Sequence, residues 1–420
     1  MKKRFCLALV LLSLLLLLGC GKEEPKVDPI PLPTQAPVTD TTGYTVKGVM
    51  AYPKYSFDEE PSTLQLRLKA VSAFKDLLSI RWSTATPITY NKTGPVSDKT
   101  FQHEADVTYA GTIYSNANTG IFQFLEFYDY ETGRINYPGE VDEMKESIGA
   151  SCADAMIWGL TSVCNSITGP YYPVTMVFAN GYLPVGDYTY DFEITSYNFL
   201  TTQKIANNNG QKVIVDAYTK VRPGDMFVST PDNHGMMAIG IPTVIYADDG
   251  TVDLEKSYVM IQDQRGGRGA GFYEEKEGGQ IIRYSGRTKA KFTFKQLWDK
   301  AYLPVTTAEF AGLKEYEKAT ASISAKCKTV KDLTGATVES NYPLAVVNVI
   351  VSDQFGSKAV IERKLFSGGD KGGVPRTFAL SELTCLTEFE GSQYDHGSYK
   401  VSIEVVPASG DRFIVAEVTP

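Results

Sequence analysis

Apolar positions recur at helical spacing over Thr63–Ser79, where Leu66, Ala70, Val71, Phe74, Leu77 and Leu78 form one stripe behind Ser62 or Thr63 as cap. A second helix is predicted over 152–167, with Met156, Gly159, Leu160, Val163, Cys164 and Ile167 on its apolar side. The pattern then changes to short β-rich runs at 173–179, 225–230, 235–246 and 257–264, and returns to helix at 292–301. Helices followed by an antiparallel meander predict an α+β domain over roughly residues 45–310.

From about residue 319 the reading is all-β. Strands are expected at 321–326, 345–352, 359–364, 376–380, 398–405 and 412–418, with turns at 353–356, 367–373 and 408–411. Six or seven short strands in ~100 residues predict an immunoglobulin-like sandwich over 319–420.

The start of the chain follows a different pattern. Lys2, Lys3 and Arg4 precede an almost unbroken aliphatic run at 6–18, too short for a comfortable membrane span. This is the form of a cleaved export signal, residues 1–19. The run ends in Leu17-Leu18-Gly19-Cys20, which resembles the bacterial lipobox. That resemblance implies lipidation of Cys20 and an exported protein anchored to a bacterial membrane, facing outside the cytoplasm. Residues 20–43 carry Pro25, Pro29, Pro31, Pro33 and Pro37 and are expected to form an extended tether. At about 3.1 Å per residue such a tether reaches up to roughly 70 Å.

Composition narrows the function. Removing residues 1–19 takes away three positive charges and no acid, moving the formal charge from −8 to −11. An acidic exterior argues against nucleic acid as a partner. Beyond Cys6 and Cys20 the cysteines are Cys152, Cys164, Cys327 and Cys385. A continuous helix would hold Cys152 and Cys164 about 18 Å apart, too far for a bridge. A Cys327–Cys385 disulfide is left open.

Of three histidines, His103 and His396 read as ordinary surface or turn residues, whereas His234 opens the apolar run 236–241 after a turn. Cys152 follows Gly149-Ala150-Ser151 at the expected start of a helix. The orphan N–H groups and dipole there favour a thiolate, the form that attacks carbonyls. A neighbouring imidazole would complete an activated nucleophile. No His/Cys/carboxylate cluster has metal-ligand spacing, and no metal or cofactor is expected. The glycine-rich stretch 265–271 lacks the Lys-Ser/Thr of a phosphate loop and reads as a flexible loop beside the site.

Cys152 at a helix start, then Pro223-Gly224-Asp225, then His234 at a strand start resembles the NlpC-type and CHAP cysteine peptidases and amidases, relatives of papain. The resemblance covers roughly residues 65–310 and implies a papain-like hydrolase domain at 44–310. It also implies that a polar residue on the next strand orients the imidazole. In Tyr258-Val259-Met260-Ile261-Gln262-Asp263-Gln264 the CHAP-like pattern favours Asp263, with Gln262 and Gln264 as alternates on the opposite face. Tyr114, in a loop similar to the one that precedes the nucleophile in these enzymes, and Ser151 are candidates for lining the site or binding the oxyanion.

The implied activity is hydrolysis of amide bonds, by default in peptidoglycan stem peptides or a surface peptide. Two features depart from the family pattern: Ser151-Cys152-Ala153-Asp154 replaces the common Asp-Cys-Ser-Gly, and Cys152 and His234 are 82 residues apart. They put the exact substrate in doubt and leave room for a degenerate site, and two alternatives stand beside the hydrolase. One is an inactive surface-binding or adhesion lipoprotein using the β-sandwich; the other is a transglutaminase-like enzyme, which shares the residue order.

Overall fold

The computed structural model describes residues 53–90, 101–114, 120–129, 131–137, 139, 148–150, 152–168, 180–190, 201–264, 273–356, 358–366, 375–388 and 399–419, without the side chains of 89, 90, 101, 102, 152–154, 273 and 388. The export signal, Cys20, the tether, the 173–179 run, the 265–271 loop and His396 lie outside these residues. The described chain is mixed α+β with several antiparallel sheets.

Helix α1, Thr63–Ser79, starts at a capping box: the Gln65 N–H donates to the Ser62 hydroxyl, and the Ser62 N–H donates to the Gln65 side chain. It packs on α2, Cys152–Thr161. The two approach closely because Gly159 faces Phe74 and Ala70; a Cβ there would lie 2.8 Å from the Phe74 Cβ. Helix α2 is shorter than the 152–167 stripe predicts. At its end the Thr161 hydroxyl donates to Ile157 O and the Ser162 hydroxyl to Gly159 O, competing with the backbone for those acceptors. Val163, Cys164 and Ile167 stay buried on the irregular segment that follows.

Two helices, α3 (Thr201–Asn209) and α4 (Gln211–Lys220), occupy a stretch where none is expected. Burial of Ile205, Ala206, Ile214, Val215, Ala217 and Tyr218 outweighs the β-branched run 213–215 and the asparagines at 207–209.

The largest sheet contains β1 (Tyr182–Pro184), β2 (Met226–Ser229), β3 (His234–Ala238), β4 (Tyr258–Gln264), β5 (Gly286–Thr293) and β6 (Leu303–Thr307). Its spatial order is β5-β4-β3-β2-β6-β1, every neighbour antiparallel. The run 235–246 contributes β3 and then continues irregularly along β4, with Thr243 bridging Tyr258 and with Ile241 and Tyr246 exposed. The helix expected at 292–301 is α5, Phe294–Asp299, and Phe292 ends up in β5. An unexpected hairpin, Tyr273–Glu277 with Gln280–Tyr284, pairs in parallel with Thr108–Ala110.

Pro223-Gly224-Asp225 fixes this sheet to α1. Arg67 Nη1 donates to Asp225 Oδ1 at 2.7 Å and to Pro223 O at 3.0 Å, and Nη2 donates to Phe310 O at 2.8 Å. Gly224 is at φ 85°, and a Cβ there would meet the Phe310 ring at 2.8 Å. Glycine is therefore needed twice over, for conformation and for space.

Beyond residue 320, a four-stranded antiparallel sheet runs Lys358–Leu365, Leu344–Asp353, Tyr399–Pro407, Phe413–Val418 in spatial order, and a three-stranded sheet joins Ala321–Ile323, Thr337–Ser340 and Thr377–Ala379. Val338 and Phe378 of the smaller sheet share one apolar cluster with Val347, Val349 and Ile403 of the larger. The short helices Val330–Thr334 and Thr384–Glu388 depart from the all-β expectation. Ala345, Val346, Val406 and Ala408 belong to the apolar cluster of the preceding residues. Arg376 Nη2 donates to Asn165 O at 2.7 Å and to Ile167 O at 2.9 Å across the same seam. Cys327 carries a free thiol and forms no bridge with Cys385.

Candidate active site

His234 owes its position to a tight hairpin. Ser229 and His234 are the last cross-strand pair of β2 and β3. Between them the Asn233 N–H donates to Thr230 O at 3.2 Å, and Asn233 sits at φ 44°. Asparagine tolerates that left-handed conformation better than most residues. The Asp232 N–H donates to the Ser229 hydroxyl, which in turn donates to Lys300 O, tying the turn to the C-terminal end of α5. His234 is 6 % exposed.

Pairing of Met237 with Gln262 and of Ala238 with Ile261 sets the register of β3 against β4. Continued one step, it places Asp263 opposite Met236 and diagonal to His234 on the same face, within reach of a long side chain. The His234 Nε2 lies 2.9 Å from Asp263 Oδ2. Gln262 and Gln264 alternate to the other face, where Gln262 Nε2 donates to Val71 O at 2.9 Å and Gln264 Nε2 to Thr112 O at 3.0 Å. Of the three candidates on β4, Asp263 is the one that meets the imidazole.

Asp263 is fully buried. Burial opposes its charged form, but hydrogen bonds from Arg287 and His234, together with their charges, outweigh it and hold the carboxyl below the usual carboxylate range. An ionised carboxylate only accepts, so the proton of a neutral His234 belongs on Nε2 and the lone pair on Nδ1. Arg287 supplies a two-pronged clamp, Nε to Oδ1 at 2.8 Å and Nη2 to Oδ2 at 2.5 Å. Nothing local in Arg287-Thr288-Lys289-Ala290-Lys291 singles out the arginine; the run reads as a charged, half-exposed strand.

Cys152 is the first residue of α2, and α2 packs on β3 and β4. The Cys152 side chain and the whole of Ser151 lie outside the described residues. The segment just before is held by a parallel pairing in which Ile113 partners Gly149 and Tyr114 partners Ala150. Tyr114, half-buried, thus sits beside the entry to α2.

The other candidates for chemistry fall away from this group. His103 is buried rather than on the surface, packed against the stacked rings of Trp82 and Tyr109 with centroids 5.0 Å and 4.6 Å away. Burial, with the charge of Arg283 adding to it, pushes its pKa down to about 3. Cys164 is enclosed next to the Thr307 hydroxyl, and burial raises its thiol well above the usual range. Among the described residues no group of His, Cys, Asp and Glu is arranged to hold a metal.

No protein-family model matches the chain, and no curated protein matches it.

Proposed function

We propose that the protein is a membrane-anchored, extracytoplasmic cysteine hydrolase that cleaves amide bonds, with peptidoglycan stem peptides as the default substrate. The observation that carries the reading is the His234–Asp263 pair on adjacent strands, on a sheet against which packs a helix opening at Cys152. The papain-like resemblance of residues 65–310 implies this order of cysteine, histidine and orienting polar residue.

In the proposed reaction the Cys152 thiolate attacks the amide carbonyl carbon. With Nε2 engaged by Asp263, His234 exchanges protons through Nδ1, taking the thiol proton and delivering it to the departing amine nitrogen. Backbone N–H groups in the first turn of α2 stabilise the oxyanion, and Tyr114 lines the entry. Water, deprotonated by the same imidazole, then releases the acyl group as a carboxylate and regenerates the thiol. Lipidation at Cys20 and the 20–43 tether hold the enzyme at the membrane while letting it reach the wall. The residues from 319 onward act in this reading as an immunoglobulin-like module.

The test is digestion of purified peptidoglycan, with soluble muropeptides separated and weighed by mass spectrometry. The reading expects new amine and carboxylate termini within stem peptides, absent with Cys152→Ala. Undigested peptidoglycan and peptides with both proteins would refute the substrate assignment.

A further inference from the structure

The imidazole–carboxylate pair has a third member. A β-bulge between Ile261 and Asp263 shifts the register of β4 against β5, so that Arg287 rather than Thr288 lies opposite Asp263. Bulges re-aim single side chains in this way. The arginine bonds both carboxylate oxygens, and one of them, Oδ2, also takes His234 Nε2. The Arg287 side chain keeps 22 % exposure while Asp263 has none.

We propose that Arg287 is a positioning residue of this site: its planar fork clamps the carboxylate that orients His234 and competes with the imidazolium for that carboxylate's charge. The inference takes its purpose from the hydrolase reading, but its physics needs only these three side chains. A guanidinium fork matches a carboxylate edge and stops it rotating, which a single ammonium cannot do. Because the arginine and the imidazole share Oδ2, each weakens the hold of the other, so Arg287 keeps His234 nearer its neutral, proton-accepting form. Among the described residues, Asp232 is a further charged group coupled to His234. Asp232 lies two residues before it, held by Lys300 at 3.1 Å and by the Tyr302 hydroxyl at 2.6 Å. Helix α2, which opens at Cys152, also packs against β3.

The experiment is an NMR titration of carbon-13-labelled histidines in the purified full chain, in a Cys152→Ala background that removes the thiol's own titration. His234 is identified among three histidines by His234→Gln. Arg287→Gln is expected to raise the His234 midpoint by about one pH unit, a tenfold gain in proton affinity. Arg287→Lys, which keeps the charge but loses the fork, is expected to raise it about two- to threefold in affinity. An unchanged or lowered midpoint in Arg287→Gln overturns the proposal. If that variant does not fold, an unchanged midpoint in Arg287→Lys overturns it instead. The readout is the imidazole and not turnover, so a failure here is separate from a failure of the hydrolase reading, which peptidoglycan digestion and Cys152 labelling decide.

Discussion

His234 and Asp263 meet diagonally across two neighbouring strands, the imidazole Nε2 2.9 Å from the carboxylate Oδ2, with both side chains closed off from solvent. The contact selects a tautomer as well as an orientation. Asp263→Asn keeps the shape but lets an amide N–H donate to Nε2, moving the ring proton to Nδ1, where it blocks acceptance from the thiol. Reaction of Cys152 at neutral pH should fall about 10²–10⁴-fold, the usual worth of general acid–base catalysis. Alkylation kinetics check this, and a loss below threefold would mean that the pair does not govern the thiol.

The buried Arg67–Asp225 pair is predicted to be structural. Asp225 lies 158 residues from Arg67 in sequence, 2.7 Å from its guanidinium, and also accepts from the Arg222 N–H. Asp225→Asn leaves a buried guanidinium without its counter-charge, and should cost about 3–5 kcal/mol. Urea unfolding of the variant and the parent measures this. A cost below about 1 kcal/mol would show that the pair does not hold β2 to α1.

Asp76 and Asp263 are expected to affect stability in opposite directions as pH changes. Burial pushes Asp76 up to about 6, against the hydrogen bond from Tyr55 and the charges of Lys69 and Lys75. Its protonated form is favoured by folding, so its contribution is full below about pH 4 and is lost as pH rises through 6. Asp76→Asn should therefore stabilise the protein at pH 8 by about 1–3 kcal/mol relative to its effect at pH 4. Asp263, whose folded pKa is depressed, contributes above about pH 4 and loses that contribution as pH falls further. Thermal melts of Asp76→Asn across pH 4–8 test the first sign; equal shifts at both ends would contradict it.

The parts of this structure that were legible in the sequence are those with a local period or a local cap. Ser62 and the 66–78 stripe mark α1, and alternation on β4 separates Asp263 from Gln262 and Gln264. What was not legible depends on contacts far along the chain. Arg67 finds Asp225 only through the folded arrangement of α1 and β2, and Arg287 reaches Asp263 only through a bulge that has no sequence signature here. Helices α3 and α4 were hidden by polar and β-branched residues whose burial overrides propensity. His103 looked exposed in a polar stretch, yet its neighbours fold into an aromatic cluster around it.

The central claim, that Cys152 and His234 act as a nucleophile and its base, is tested most directly by site-resolved alkylation. The purified chain is treated with an iodoacetamide probe across pH, beside Cys152→Ala and His234→Ala, and labelling of each cysteine is read by mass spectrometry. The account predicts fast labelling at Cys152, already appreciable below neutral pH and slowed at least tenfold by His234→Ala. It also predicts silence at Cys164, which burial keeps as an enclosed thiol. Slow labelling at Cys152, no faster than at Cys164 and indifferent to His234, would contradict it.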